Sequence, residues 1–534
     1  MTEAAPSDRL DRGTLTALVA MALGVFVVAN DFSALSVALP QIESDFDSDV
    51  STVQWVINAY ALVFGVLIVS SGRLADLFGR RRIFFVGAGI FALFSLLAGA
   101  AQSDAWLIAC RALMGIGGSM MWPAVLGMTF ALLPDSKAGL AGGLILGVAG
   151  LGNALGPLIG GALTDALSWR WILFVNLPVA GFAVLITWWK VHLTEPATGK
   201  ERFDYRGVAT LSIALVALLV ALDEVPDLGW GDPRIIGLLV VAAVLLPAFA
   251  FSERAAGARA LVPRDVIGNR QFAFACIAVL FMSAAFFVSL LYLPQFMQKL
   301  LSYSALEAGI GLLPMMALFA ISSFVAGPLY QRLGAKAIVS TGAGCVAVGM
   351  FLISLVEAES GYAALVPGMA VLGLGIGLFY SSITTAGVTA IDPSRASLAG
   401  AIVYMCQVAG GAIGLGLTTT IFTSISQGRV ESDVAATGAN LSPTEVDAVD
   451  GILAGTESAQ QAVAGLGSGG AREVTTVVRE AFVDGFVAGF RLNAVLAAVA
   501  FAVAVLLIGG SPRLRRHRRA EAPSAAGEQP AGQT

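Results

Sequence analysis

The chain has 534 residues, of which 57% are hydrophobic and only 13% are charged, and its formal net charge is −5. A water-soluble protein of this length cannot bury so much apolar surface, so the composition excludes an ordinary soluble globular protein. We expect a lipid bilayer as its surroundings and no nucleic-acid partner.

Fourteen apolar stretches lie close to the ~20 residues that a helix needs to cross a bilayer. Most of the 31 lysines and arginines fall in the two tails and in alternate loops, which predicts that both termini face the cytoplasm of a cell (inner or plasma) membrane. The sequence therefore predicts an all-α membrane protein with fourteen transmembrane helices. The predicted spans are 14–39, 50–71, 83–101, 105–130, 138–163, 171–190, 207–222, 234–251, 271–294, 304–326, 337–356, 361–388, 397–422 and 483–508.

Asp31 and Arg111 are the clearest charged residues inside these spans, where charge is costly and usually functional. Arg491, near the start of the last span, is interpreted as an arginine that snorkels to the outer interface. Asp31 lies about 12 Å from the outer end of the first span, and Arg111 about 9 Å from the outer end of the fourth, at 1.5 Å per helical residue. Their similar depth permits attraction, so we interpret them as residues for proton coupling or substrate binding. A static pair that fixes two helices is the alternative.

The loop after the second span mixes glycine, acid and base. Gly72 and Gly79 permit tight packing and an abrupt turn, while Asp76, Arg80 and Arg81 can form a polar cluster. We interpret this loop as a cytoplasmic latch between two helix bundles. The alternative is that its arginines only orient the chain in the membrane.

The fifth span has a crowded glycine face. Three of its glycines recur every four residues, share one side of a helix and let a neighbouring helix approach closely. The spacing alone fits a structural seam, and a hinge or seal in a moving transporter is the alternative. The residues of this motif are Gly143, Gly152, Gly156, Pro157, Gly160 and Gly161.

An internal repeat divides the chain into two halves. The segment GRLADLFGRR from Gly72 returns as GPLYQRLGAK from Gly327, with Gln331 in the place of Asp76. Two six-helix bundles in the same orientation, with two inserted helices, explain the repeat. The predicted organisation is a tail over 1–13, a first bundle over 14–190, inserted spans over 191–270, a second bundle over 271–510 with a long outer loop at 423–482, and a tail over 511–534.

Methionine and aromatic side chains on later turns are candidates for an adaptable apolar cavity, although helix packing is the alternative for each. The four cysteines fall within spans and the two histidines in loops, which argues against a disulfide framework and a metal site. In the outer loop, Ser442 to Glu445 fit a capping box and predict a short helix. The cavity candidates are Met121, Trp122, Phe287, Tyr292, Tyr380 and Gln407.

Taken together, these motifs resemble the major facilitator superfamily, and in particular its fourteen-span drug/proton antiporters, over residues 14 to 510. The Gly72–Arg82 segment resembles the superfamily loop motif, and the fifth-span glycines match the antiporter motif. Asp31 with residues 38–40, Arg111 with Gly115 and Gly117, and the segment 169–178 resemble further family motifs. Met114 stands where the family usually has glutamine, and Phe32 and Ser33 replace its usual threonine pattern.

The resemblance implies a major facilitator fold and proton influx through Asp31, aided by Arg111, in exchange for outward movement of an amphipathic compound. We expect neutral or singly charged substrates, a proton gradient in place of any cofactor, and a functional monomer. A dedicated exporter of one metabolite, lipid or antibiotic is the alternative within transport. An enzyme or receptor on this scaffold is less well supported, because the sequence shows no nucleophile–base set, no P-loop and no large soluble domain.

Overall fold

The computed structural model describes residues 11–48, 50–192, 204–257, 260–436 and 467–507, and within these ranges it is helical with no strand. Polar side chains cap several helix starts, among them Asp11, Ser103 and Asn269. The helices are α1 Arg12–Ala34, α2 Leu39–Phe46, α3 Val50–Phe78, α4 Arg80–Gly99, α5 Asp104–Leu132, α6 Ala138–Ala166, α7 Arg170–Lys190, α8 Tyr205–Leu228, α9 Pro233–Ala256, α10 Arg264–Ile267, α11 Arg270–Lys299, α12 Ala305–Gly311, α13 Leu313–Ile353, α14 Tyr362–Thr389, α15 Ala396–Ala436 and α16 Gly467–Leu507.

Among the described residues, thirteen helices have the length and apolar composition to cross a membrane. Only α2, α10 and α12 are too short. The fourteenth predicted span is contained in α13, whose 41 residues would extend about 60 Å if straight, roughly twice the hydrocarbon thickness of a bilayer.

Helix α13 is a hairpin of two spans. Gly334, at its centre, has φ 84° and ψ 164°. This conformation lies outside the helical region, and its positive φ favours glycine. In the first arm, Met315 and Phe319 meet Gly373 and Gly377 of α14 in parallel order. In the second arm, the contacts with α14 run in antiparallel order, from Gly342 against Phe379 to Gly349 against Leu372. The two arms are therefore antiparallel to each other and correspond to the tenth and eleventh predicted spans.

Equivalent helices of the two halves pack in equivalent ways. On α6, Gly152 and Gly156 lie against α1, and on α15, Gly410 and Gly414 lie against α11 at Leu280 and Ala284. Gly72 of α3 packs on the start of α15, and its counterpart Gly327 of α13 packs on the start of α6 at Gly139. The sequence repeat is thus also a repeat of helix contacts.

The inserted helices lie beside the bundles. Helix α8 packs against α3 and α15, whereas α9 packs mainly on α8 and leaves most of its apolar side chains exposed. Glu253 of α9 is buried and accepts a hydrogen bond from Val262 N at 2.8 Å, which fixes the connection to α10.

The helices that flank the predicted outer loop are longer than the sequence suggested. Helix α15 continues to Ala436 and α16 begins at Gly467, beyond the predicted span ends at 422 and 483. Past the predicted edge, Phe482 is buried and its ring centroid lies 5.2 Å from that of Phe422 on α15. The predicted helix at Ser442–Glu445, the tail arginines at 513–519 and the first ten residues lie outside the described residues.

Candidate functional site

Asp31 and Arg111 form an ion pair in the first half. The carboxylate of Asp31 on α1 accepts from Nη1 of Arg111 on α5, and both residues are completely buried. Arg111 also donates from Nε to the carbonyl of Val56 at 2.9 Å, and its guanidinium lies 4.4 Å from the ring centroid of Tyr60. A buried charge is tolerable only with such partners.

A second polar group holds the other oxygen of Asp31. Asn176 on α7 donates from Nδ2 to Asp31 Oδ1 at 2.8 Å, and it lies 3.2 Å from Oγ of Ser95. Ser95 on α4 in turn donates to the Leu173 carbonyl at 2.7 Å. Helices α1, α4, α5 and α7 therefore meet around one carboxylate, which accepts hydrogen bonds from an arginine and an amide.

The glycine face of α6 sets the position of the helix that carries this carboxylate. A Cβ on Gly152 would lie 3.1 Å from Ala29 Cβ and 3.2 Å from Asn30 N. Ala29 and Asn30 are the two residues that directly precede Asp31. A Cβ on Gly156 would collide with Ser33 Oγ and lie 3.0 Å from Ala34 N. Because these positions of α6 have no side chain, α1 lies closer to α6 than any side chain there would allow.

The other end of α6 faces the second half. A Cβ on Gly143 would lie 2.7 Å from the Ser323 carbonyl of α13, and one on Gly139 would lie 2.7 Å from the Gly327 carbonyl. One glycine-rich helix thus makes two different seams, one with α1 of its own half and one with α13 of the other half. At the α1 end, a Cβ on Gly161 would lie 3.4 Å from Leu306 Cδ1, and one on Gly309 would lie 3.3 Å from Pro157 Cβ.

We call the end of the helices at which residues 78–80 and 389–396 lie the basic end. At this end, Asp76 connects the two halves. Its Oδ2 accepts from Leu398 N at 2.8 Å and its Oδ1 from Ser397 N at 3.2 Å. These are first-turn amides of α15, which have no partner within their own helix. A carboxylate of α3 therefore caps a helix of the opposite half, where the helix dipole favours negative charge.

Arg80 completes this contact. Its Nε lies 3.1 Å from Asp76 Oδ1, its Nη1 donates to the Gly127 carbonyl at 3.0 Å, and its Nη2 donates to the Pro393 carbonyl at 2.6 Å. Gly72 lets α15 lie close, because a Cβ there would be 2.8 Å from the Ser397 carbonyl. We call Gly72, Asp76 and Arg80, with the first turn of α15, the latch.

Two further residues of the predicted loop, Gly79 and Arg81, act within the first half. Gly79 has φ 103° and separates α3 from α4, so it provides the abrupt turn that the sequence predicted. Arg81 donates from Nη2 to the Trp188 carbonyl at 2.7 Å and lies over the Phe85 ring. In the second copy, Gln331 is exposed, so the latch has no symmetric partner there.

Comparison with known proteins agrees with this architecture. The family model described as Major Facilitator Superfamily matches residues 21–415. The chain belongs to the major facilitator superfamily. The family match and the many apolar helices of the chain identify it as a multipass membrane transporter rather than an enzyme.

Relatives within the superfamily include two proteins from streptomycetes. The puromycin resistance protein pur8 of Streptomyces alboniger is 35% identical over 76% of this chain and 81% of its own length. The tetracenomycin C resistance and export protein of Streptomyces glaucescens is 30% identical over 93% and 92%. The crystal structure of the human organic anion transporter MFSD10 has a TM-score of 0.59 and 13% identity, and it covers 92% of this chain and 99% of its own, so it shares the superfamily fold.

The six cavity candidates lie in different environments. Trp122 is at the contact between the halves, where its ring centroid lies 4.7 Å from that of Tyr404. Met121 is buried within the first half, where its backbone nitrogen lies beside Gly87 of α4. Within the second half, Tyr292 lies 2.9 Å from Thr419 Oγ1, Tyr380 lies 2.9 Å from Ser283 Oγ, and Phe287 packs on Gly411. Gln407 is buried one turn beyond Tyr404.

Sequence reasoning did not identify several residues of this site. Asn176 and Ser95 are polar side chains in apolar spans, a signal that could have marked them. Tyr60 and Tyr404 are ordinary aromatic residues of apolar spans, and no sequence signal separates them from packing residues. The described residues contain no group of three His, Cys, Asp or Glu side chains that could hold a metal, and the four cysteines are free.

Proposed function

We propose that this chain is a proton-coupled antiporter that exports amphipathic or hydrophobic small molecules from the cell by alternating access. The observation that carries the proposal is the buried Asp31–Arg111 pair, which lies between helices of the first half with Asn176 as its third member. The names of the two streptomycete relatives, which speak of antibiotic resistance and export, support the substrate class.

The pair can exchange a proton for a conformational change. In this scheme Arg111 and a proton compete for the Asp31 carboxylate, because either one compensates its buried charge. An incoming substrate that draws Arg111 or Asp31 away would therefore change the protonation of the site. Arg111 Nη2 is buried and has no partner among the described residues, so a donor is available to a substrate acceptor.

In this proposal, opening and closing of the latch alternate the access of the site between the two sides of the membrane. The structure has the basic end closed by Asp76, Arg80 and the start of α15, and by the seam of α6 with α13. Opening of this end requires that Asp76 release two amide donors. We place this end and both termini in the cytoplasm, because the basic loops collect there. Release of the latch would give the substrate access from inside, and its closure would direct the substrate outward.

The energetics suit export. The membrane potential supplies about 2.3 kcal/mol per charge per 100 mV, so one proton exchanged for one neutral molecule drives roughly fiftyfold accumulation outside. The protein acts as a monomer in this scheme, since each chain contains both halves.

A dedicated exporter of a single antibiotic is the second candidate. It is favoured by the names of the same two relatives, each of which refers to one compound, puromycin or tetracenomycin C. A resistance and accumulation screen over chemically diverse compounds separates the two. Protection against several unrelated classes supports a multidrug exporter, and protection against one class supports the dedicated one.

Energised inverted membrane vesicles test the proposal. Vesicles that contain the protein should accumulate a fluorescent dye, and a protonophore should abolish the accumulation. Vesicles without the protein provide the control for passive dye entry. Full dye accumulation after collapse of the proton gradient would contradict proton coupling.

A further inference from the structure

An aromatic residue of the second half occupies a slot in the first half. The ring centroid of Tyr404, on α15, lies 4.7 Å from that of Trp122 on α5 and 5.5 Å from that of Phe64 on α3. Trp122 and Phe64 are 6.3 Å apart and nearly perpendicular. Both are buried, whereas Tyr404 is only half-buried. Trp122 and Phe64 thus meet edge to face and form a corner that the Tyr404 ring covers, and we call this corner the aromatic slot.

The aromatic slot is connected to the charged pair by ring contacts. Phe64 lies 5.4 Å from Phe32, and Phe32 lies 4.7 Å from Tyr60. The guanidinium of Arg111 lies over the other face of this cluster, at Tyr60. The Tyr60 hydroxyl is buried and has no partner among the described residues. A chain of aromatic contacts therefore connects the slot to the Asp31–Arg111 pair.

Tyr404 moves out of the slot when the second half moves away from the first. It stands on the helix whose first turn the latch holds, two turns beyond Leu398. Between these points, Gly400 packs on Leu126 and Ala401 on Gly72, so α15 is seated along α3 and α5. Separation of the halves at the basic end would withdraw the Tyr404 ring and uncover the surfaces of Trp122 and Phe64 that it contacts.

We propose that the aromatic slot binds one flat aromatic ring of the exported compound and that Tyr404 fills it when the basic end is closed. The proposal rests on the export function proposed above and specifies its substrate class as compounds with a planar, fused aromatic system. The phenol ring already seated there defines the shape of the site, and ring pairs at these separations are favourable beyond their burial. Tyr404 is then a specificity-determining residue that competes with the substrate.

Equilibrium binding to the purified full-length protein tests this without any gradient. Doxorubicin, which has a planar fused ring system, is compared with erythromycin, which has no aromatic ring. Tyr404→Ala should bind doxorubicin more tightly by roughly three- to tenfold, the range that one aromatic pair contributes. Trp122→Leu should weaken doxorubicin binding by a similar factor, and neither change should alter erythromycin binding.

Tyr404→Phe is the matched control, because it keeps the ring and should bind both probes as the wild type does. If Tyr404→Ala fails to fold, Tyr404→Leu replaces it, with the same expectation. Equal shifts for both probes, or no shift in any variant, would overturn the slot. Normal doxorubicin selectivity without gradient-driven export would leave the slot standing and overturn the proposed function alone.

Discussion

Gly156 of α6 packs directly against Ser33 of α1, two residues beyond the buried acid Asp31. The glycine motif therefore contributes to the charged site without carrying any charge itself. It fixes the helix that presents the carboxylate, while the same α6 contacts the second half through Gly139 and Gly143. A change in the seam between the halves can thus reach Asp31 through one helix.

Two glycines of this motif should respond differently to the same substitution. Gly156→Ala places a methyl group against Ser33 Oγ and Ala34 N, and such overpacking costs about 1–3 kcal/mol. Gly161→Ala meets its nearest atoms at 3.4 and 3.7 Å, which is ordinary contact. We expect Gly156→Ala to lose most dye export in vesicles with the protein still inserted, and Gly161→Ala to retain it. Equal activity of the two variants would remove the packing explanation.

The Asp31–Arg111 pair predicts a double-mutant pattern in stability. Asp31→Asn leaves Arg111 charged and buried without its partner, a change that costs about 3–5 kcal/mol. The combination of Asp31→Asn with Arg111→Gln removes both charges and should recover much of the lost melting temperature in detergent. Neither protein should transport. A double variant that is less stable than Asp31→Asn would show that the charges are not coupled.

Release of the latch should change the distribution of conformations. Asp76→Asn removes the charge that caps α15 and pairs with Arg80, and loss of a helix cap costs about 0.5–2 kcal/mol. By itself this shifts a two-state equilibrium by roughly two- to thirtyfold toward the state open at the basic end. Spin labels at the exposed Arg82 and Arg332, one in each half and in a cysteine-free background, should report a longer distance.

Gln331→Ala is the control for this measurement, because Gln331 is the counterpart of Asp76 in the second half and is exposed. It should leave the distance distribution unchanged. An unaltered distribution in Asp76→Asn, or the same change in both variants, would show that the contact with α15 does not hold the basic end closed.

At the other end of the first half, Asp45 makes a contact whose stabilising effect should not change between pH 5 and pH 7. It accepts from Trp169 Nε1 at 2.9 Å and from Arg170 Nη1 at 2.8 Å, and these hydrogen bonds lower its pKa from the usual 3.8. A lowered pKa means that the stabilisation is present above about pH 4 and is lost only as the pH falls through the folded-state value. Asp45→Asn should therefore lower the melting temperature equally at pH 7 and pH 5. A difference that vanishes at pH 5 would contradict this assignment.

The sequence predicts the helices and the repeat well, because both depend on local patterns. Span length, basic loops and glycine spacing act over one or two turns, and the fourteen spans recur with α13 as a hairpin at Gly334. Helices α15 and α16 extend beyond the predicted spans, since helices that pack on each other continue beyond the apolar segment.

The site was only partly predictable. Charge in a span marks Asp31 and Arg111, and helical rise gives their depth, but their partners lie far away in the chain. Asn176 is separated from Asp31 by 145 residues, and Leu398 from Asp76 by 322. Such contacts depend on how whole helices pack, as does the position of Tyr404 beside Trp122, and no local pattern specifies them.

Proton and substrate fluxes measured together in liposomes test the central claim most directly. The purified protein is reconstituted with a pH-sensitive dye inside, and substrate is added on one side. We predict that substrate movement drives protons in the opposite direction, and that Asp31→Asn abolishes proton movement while the protein remains folded. Substrate-driven proton flux in Asp31→Asn at the wild-type rate would contradict the assignment of Asp31 as the coupling residue.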